Sequence, residues 1–145
     1  MATPAGDRVS VPARIGAALV ALLMLALLGL AAFLKPAAQG HGTHQQLGLP
    51  PCGWVVAFGL PCPTCGMTTA FANAANASPW AAIKAQPAGA LLALLVSAGF
   101  WASAHVAAFG SRVGPLLAST LRPRLLWPGL GLLIAAWLTK IATWT

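Results

Sequence analysis

The sequence predicts an all-α integral membrane protein: three transmembrane helices, with a cysteine-rich re-entrant or interfacial loop and short amphipathic helices between the first and the second. Three observations carry this expectation. The 145 residues are 59% hydrophobic and only 6% charged, against about 25% charged in an average soluble domain, so the chain cannot cover a soluble core with polar surface. Long uncharged runs recur, the first of them, Ile15 to Leu34, bracketed by Arg14 and Lys35. Between Lys35 and Lys84 no charged residue occurs, yet that interval holds all three cysteines, Cys52, Cys62 and Cys65.

A short tail, residues 1–13, leads into the first expected span, 14–35. Its uncharged run covers about 30 Å at 1.5 Å per residue, the thickness of a hydrocarbon core. That run is longer than a signal-peptide apolar core of about 7–15 residues. Lys35-Pro36-Ala37-Ala38 is a poor cleavage site, so an uncleaved helix is expected. The second span, 87–109, starts at Pro87, where a missing N–H costs nothing in the first turn, and ends at Phe109-Gly110. After a connection over 110–124, the third span, 125–144, follows Arg122-Pro123-Arg124. Trp127 and Trp144 sit near its ends as interfacial aromatics, and Lys140 lies in its last turns, where its stem can snorkel. Gly16, Gly29, Gly99, Gly129 and Gly131 would let helices approach closely, within the chain, in a homo-oligomer or against a larger membrane partner.

Arg8, Arg14, Arg112, Arg122 and Arg124 fall on one side of this arrangement and Lys35, Lys84 and Lys140 on the other. The excess of positive charge places the N-terminus in the cytoplasm and the cysteine loop outside it, in an oxidising compartment where a disulfide can persist. The formal charge of +7 comes from basic residues scattered singly. It fits anchors flanking a bilayer rather than a nucleic-acid surface. Asp7 is the only acidic residue, which excludes paired-carboxylate hydrolysis and carboxylate-rich calcium or magnesium sites.

The loop, 36–86, is not hydrophilic. Trp54 to Leu60 is apolar but far too short to span, and Pro50, Pro51, Gly53, Pro61 and Pro63 bound it. An interfacial or re-entrant segment fits, because irregular backbone at depth must be buried in protein. After Gly66 the pattern turns helical: Met67, Ala70, Phe71 and Ala74 share one face, with Thr69, Asn73 and Asn76 opposite. Ser78-Pro79 reads as the start of another short helix, carrying Trp80 and Ile83.

The chemistry-bearing residues are Cys52, Cys62-Pro63-Thr64-Cys65 and His41-x-x-His44, five soft ligands within 25 residues. A helix starting at Cys65 or Gly66 would aim its N–H groups at the sulfurs and favour thiolate. Three readings share the spacing. As metal ligands, Cys62, Cys65, Cys52, His41 and His44 suffice for tetrahedral zinc or a soft copper site. As a redox pair, Cys62 and Cys65 would exchange thiol for disulfide with Cys52 as a third thiol, although no strand pattern flanks them as in the usual βαβ setting. As a staple, the cysteines would only pack or bridge a tight turn. Pro61-Cys62-Pro63-Thr64-Cys65 also matches half of the zinc-deaminase signature, but that chemistry needs a Glu and the chain has none. Gly66 stands where covalent haem attachment needs His. His105, late in the second span, is either an intramembrane functional group or a neutral imidazole bonded to a neighbouring helix near Ser103.

The segment from about Gly48 to Leu95 resembles a bacterial membrane family known as domain of unknown function 2752. The likeness rests on Gly59-Leu60-Pro61-Cys62-Pro63-Thr64-Cys65-Gly66-Met67-Thr68-Thr69-Ala70-Phe71, followed by a short helix and Gln86-Pro87-Ala88-Gly89. Many members carry Arg where this chain has Thr69. The resemblance implies a small multi-pass protein of the bacterial inner membrane and brings no activity, ligand or catalytic residue. The expected function is therefore a non-catalytic accessory or metal-binding component. A thiol–disulfide oxidoreductase at the membrane surface and a purely structural motif are the alternatives.

Overall fold

The computed structural model describes residues 9–111 and 126–142. Among them every regular element is helical: α1 (Val11–Phe33), a 3-10 turn (Thr43–Leu47), α2 (Gly53–Phe58), α3 (Met67–Ala75), α4 (Pro79–Ala85), α5 (Pro87–Phe109) and α6 (Leu126–Ala142). Among the described residues two helices, α1 and α5, are long and apolar enough to cross a membrane. Each has 23 residues, or about 35 Å at the helical rise. The third expected span is helical over the 17 residues of α6. Trp144, Arg8, Arg112, Arg122, Arg124 and most of the connection 110–124 lie outside the described residues.

α1 begins three residues earlier than the expected span, with Pro12 in its first turn, and stops just before Lys35-Pro36, where the residue before proline is pushed out of the helical region. Arg14 is therefore inside the helix rather than at its edge. Its guanidinium donates to Ala107 O (3.0 and 3.1 Å) and Ala108 O (3.0 Å) at the end of α5. Those carbonyls lack intrahelical partners, and a cation at a helix C-terminus meets the negative end of its dipole. Val9 N–H donates to Gly110 O at 2.9 Å. The start of α1 and the end of α5 are thus joined, and the pair is antiparallel.

The inner surfaces are built from small residues. Ala31, Phe71 and Ala93 form one buried cluster where α1, α3 and α5 meet, and Ala70, Ala82 and Ala85 another between α3 and α4. Outward, Leu19, Leu22, Leu23, Leu94 and Trp101 are exposed, leaving apolar surface around the α1–α5 pair. Of the five glycines expected at helix contacts, Gly99 lies at one within the chain: a Cβ there would lie 3.0 Å from Met24 Cε on α1, whereas Gly16, Gly29, Gly129 and Gly131 have nothing of the described chain within 4 Å. A close contact of α5 with α3 is made by Gly89, where a Cβ would lie 3.0 Å from Ala70 Cβ.

Met67, Ala70, Phe71 and Ala74 do face inward, as their spacing predicts. Thr69, expected on the polar side, is fully buried, and its hydroxyl lies 2.8 Å from that of equally buried Thr43. Thr43 Oγ1 also accepts the Ala37 N–H at 3.0 Å. The two hydroxyls tie α3 to the segment after α1. Thr69→Val keeps the shape and leaves the buried Thr43 hydroxyl with the Ala37 N–H but without its side-chain partner. Thermal unfolding is expected to show a loss of about 1–3 kcal/mol, the cost of an unsatisfied buried polar group. An unchanged midpoint would show that the pair contributes nothing.

His105 is exposed, with Nδ1 2.8 Å from Ser111 Oγ and its ring against Phe109. The partner lies just beyond the end of its own helix rather than at Ser103.

Candidate metal centre

The cysteine turn follows from its prolines. Pro63 presets the backbone for the second position of a turn, which closes by Cys65 N–H donating to Cys62 O at 3.0 Å. Met67 N–H then donates to Thr64 O at 3.1 Å, and Gly66, at φ +90°, turns the chain into α3. The result places Cys62 Sγ 3.1 Å from Cys65 Sγ. Cys52, at the start of α2, closes the group, so that the three sulfurs all lie within 4.8 Å of one another. All three are free thiols.

A cavity of about 460 Å³ opens onto these sulfurs, and His41, His44 and Met67 also line it. The loop thus brings all five ligands expected from the sequence to one cavity, but only the sulfurs are within mutual ligand range. His44 Nε2 lies 3.2 Å from Pro50 O; a carbonyl can only accept, so that nitrogen carries the proton and is not a ligand. His41 is held toward its neutral form by burial, then by the charge of Lys140 and by His44.

The sulfurs are electrostatically unequal. Burial pushes the Cys62 thiol up, but hydrogen bonds from the Thr64 hydroxyl (3.3 Å) and from the Cys65 and Cys52 thiols hold its thiolate, and the net direction is down. Cys65 is buried, and burial together with the neighbouring Cys62 pushes its thiol up to about 12, against the Cys62 N–H that donates to its sulfur at 3.2 Å. This amide, rather than one from the start of α3, is the donor that reaches a sulfur from within the turn. An alkylating reagent is therefore expected to modify Cys62 well before Cys65, read by peptide mass spectrometry. Equal rates would contradict the polarisation. Unfolded, the Cys65 thiol ionises near its ordinary 9.0, while the folded protein keeps the proton. Stability should accordingly fall as pH rises from 9 towards 12.

Three side chains from outside the turn hold it, and sequence reasoning missed what they do. Gln86, 1% exposed between α4 and α5, donates from Nε2 to Pro63 O at 3.0 Å. Trp137 of α6 donates from Nε1 to Pro61 O at 2.8 Å. Both carbonyls flanking Cys62 are thus pinned by side chains. Lys140, expected to snorkel, instead donates to Ala85 O (2.9 Å) and Gly40 O (3.3 Å). A Cβ on Gly66 would stand 3.3 Å from its Nζ, so the ammonium sits directly behind the Cys65–Gly66 backbone. A tryptophan in the middle of a span, rather than near either end, was the available signal.

Residues 52–101 match the family described as Protein of unknown function (DUF2752). The cysteine turn lies inside the matched segment. The match runs from Cys52 through the first two-thirds of α5 and includes Cys62, Cys65, Gly66 and Gln86, while Trp137 and Lys140 lie beyond it. The family description assigns no activity. No curated protein and no solved structure matches the chain.

Proposed function

We propose that the protein is a non-catalytic, metal-binding component of a bacterial inner membrane, with Cys52, Cys62 and Cys65 as its ligands. The observation that carries this is the convergence of the three sulfurs within 4.8 Å, drawn from two separate segments of the loop. Tight turns alone bring Cys62 and Cys65 together; nothing in the turn requires Cys52. Sulfurs around an ion at about 2.3 Å stand about 3.8 Å apart, close to the spacing already present.

The membrane part of the proposal has α1, α5 and α6 as spans, the N-terminus cytoplasmic and the cysteine turn outside, with α2 at the interface. Supporting it are the apolar outer surfaces of α1 and α5, the exposed Trp54, Val56 and Phe58 of α2, and the separation of charge. Arg14 sits where α1 meets the end of α5, whereas Lys84 and Lys140 line one cavity with Pro36 at the other end of α1. The small buried area favours assembly with further copies or a larger partner.

Stoichiometric zinc or copper on the purified protein, abolished in Cys62→Ser/Cys65→Ser, is the expected result, read by elemental analysis. A metal-free protein whose melting temperature ignores chelators would sink the proposal. The 3.1 Å approach of Cys62 to Cys65 favours a second reading, thiol–disulfide exchange. There the Cys62 thiolate attacks a substrate disulfide and releases one substrate thiol. Cys65 then displaces the second, leaving a Cys62–Cys65 bond and a reduced substrate. That reading requires the bond to form and break reversibly; substitutions that alter only abundance would leave a structural staple.

A further inference from the structure

The ligand set is more selective than a general soft-metal site. Structural zinc is bound by four ligands, whereas copper(I), a soft monovalent ion, is satisfied by digonal or trigonal thiolate coordination. Here the mutually reachable ligand atoms among the described residues are three sulfurs, with no nitrogen or carboxylate oxygen in the group. His44 Nε2 is engaged by Pro50 O, and the remaining lining next to the sulfurs includes the Met67 thioether and the apolar Pro51 and Val55. Three thiolates around a monovalent ion carry a net negative charge of two. A cation is in place to balance part of it: Lys140, whose ammonium interacts electrostatically with Cys65 and lies behind Gly66.

Resting on the metal-binding reading above, we infer that the site takes copper(I), held by Cys52, Cys62 and Cys65 alone, with Lys140 as the counter-charge. Lys140 touches no metal in this arrangement. It fixes the two carbonyls that back the turn, Gly40 O and Ala85 O, and lowers the electrostatic cost of the trithiolate.

The test is an anaerobic titration of the full chain in detergent with copper(I) against a chromophoric chelator, followed by X-ray absorption of the loaded protein. One copper(I) per chain, three sulfur scatterers at about 2.3 Å and no nitrogen scatterer are expected. Cys52→Ser should reduce the sulfur count to two. His41→Ala and His44→Ala should leave affinity unchanged. Lys140→Met should weaken binding about tenfold, in the range seen for groups behind a metal's ligands, with the sulfur count intact, and Lys140→Arg should recover most of it. The wild-type spectrum alone decides the ligand set if a variant fails to fold. Nitrogen scatterers, affinity lost in either histidine variant, or tight zinc bound with a histidine would overturn the inference while leaving metal binding standing. Failure to hold zinc or copper(I) against the chelator would overturn both.

Discussion

Gly66→Ala is expected to have the largest effect of any glycine-to-alanine change among the described residues. The backbone at Gly66 has φ +90°, in the left-handed region where a Cβ is strained. The added carbon would also stand 2.7 Å from both Gly40 O and Ala85 O, and neither backbone atom can swing away like the end of a side chain. Strain of about 1–3 kcal/mol for the conformation and a similar amount for the overlap give about 2–6 kcal/mol. The same two carbonyls accept from Lys140, so relief of the clash must break the contact of α6 with the turn. Melting in detergent should fall by more than about 10 °C, with Cys65 becoming open to alkylation in the folded protein. A variant that melts with the wild type and still protects Cys65 would show that the turn is held elsewhere.

Trp137→Phe should act on the site from the other side. Pro61 is fully buried and its carbonyl accepts from Trp137 Nε1. Phenylalanine fills most of the same space and offers no donor, so a buried carbonyl is stranded at a cost of about 1–3 kcal/mol. Because Pro61 O precedes Cys62 directly, the loss is expected to loosen the cysteine rather than the helices. Metal affinity should drop about tenfold with little change in helix content by circular dichroism. Should affinity be unaffected, α6 would be a neighbour of the site and not part of it.

The helices were legible because their signals are local. Uncharged runs of span length, Pro87 at a first turn, Gly110 after a last turn and the inward face of α3 all depend on residues a few positions apart. So does the Cys62–Cys65 pairing, which Pro63 and the turn impose. The boundary of α1 was less so: Arg14 looked like the edge of a span because charge was read against lipid, whereas it caps α5 across 93 positions.

What needed the tertiary structure is the part of the site that comes from a distance. Cys52 could be named as a candidate ligand from its type, but its approach to the other two sulfurs depends on how the loop folds. Thr69 read as polar surface because periodicity cannot see Thr43 waiting opposite it. Trp137 and Lys140 read as parts of a span because hydropathy scores composition and not hydrogen-bond direction. In a chain this poor in charge, local pattern sorts residues by their preference for lipid. The polar contacts that shape the site form between segments far apart in sequence, and their partners, chiefly the backbone carbonyls of Gly40, Pro61, Pro63 and Ala85, carry no side-chain signal at all.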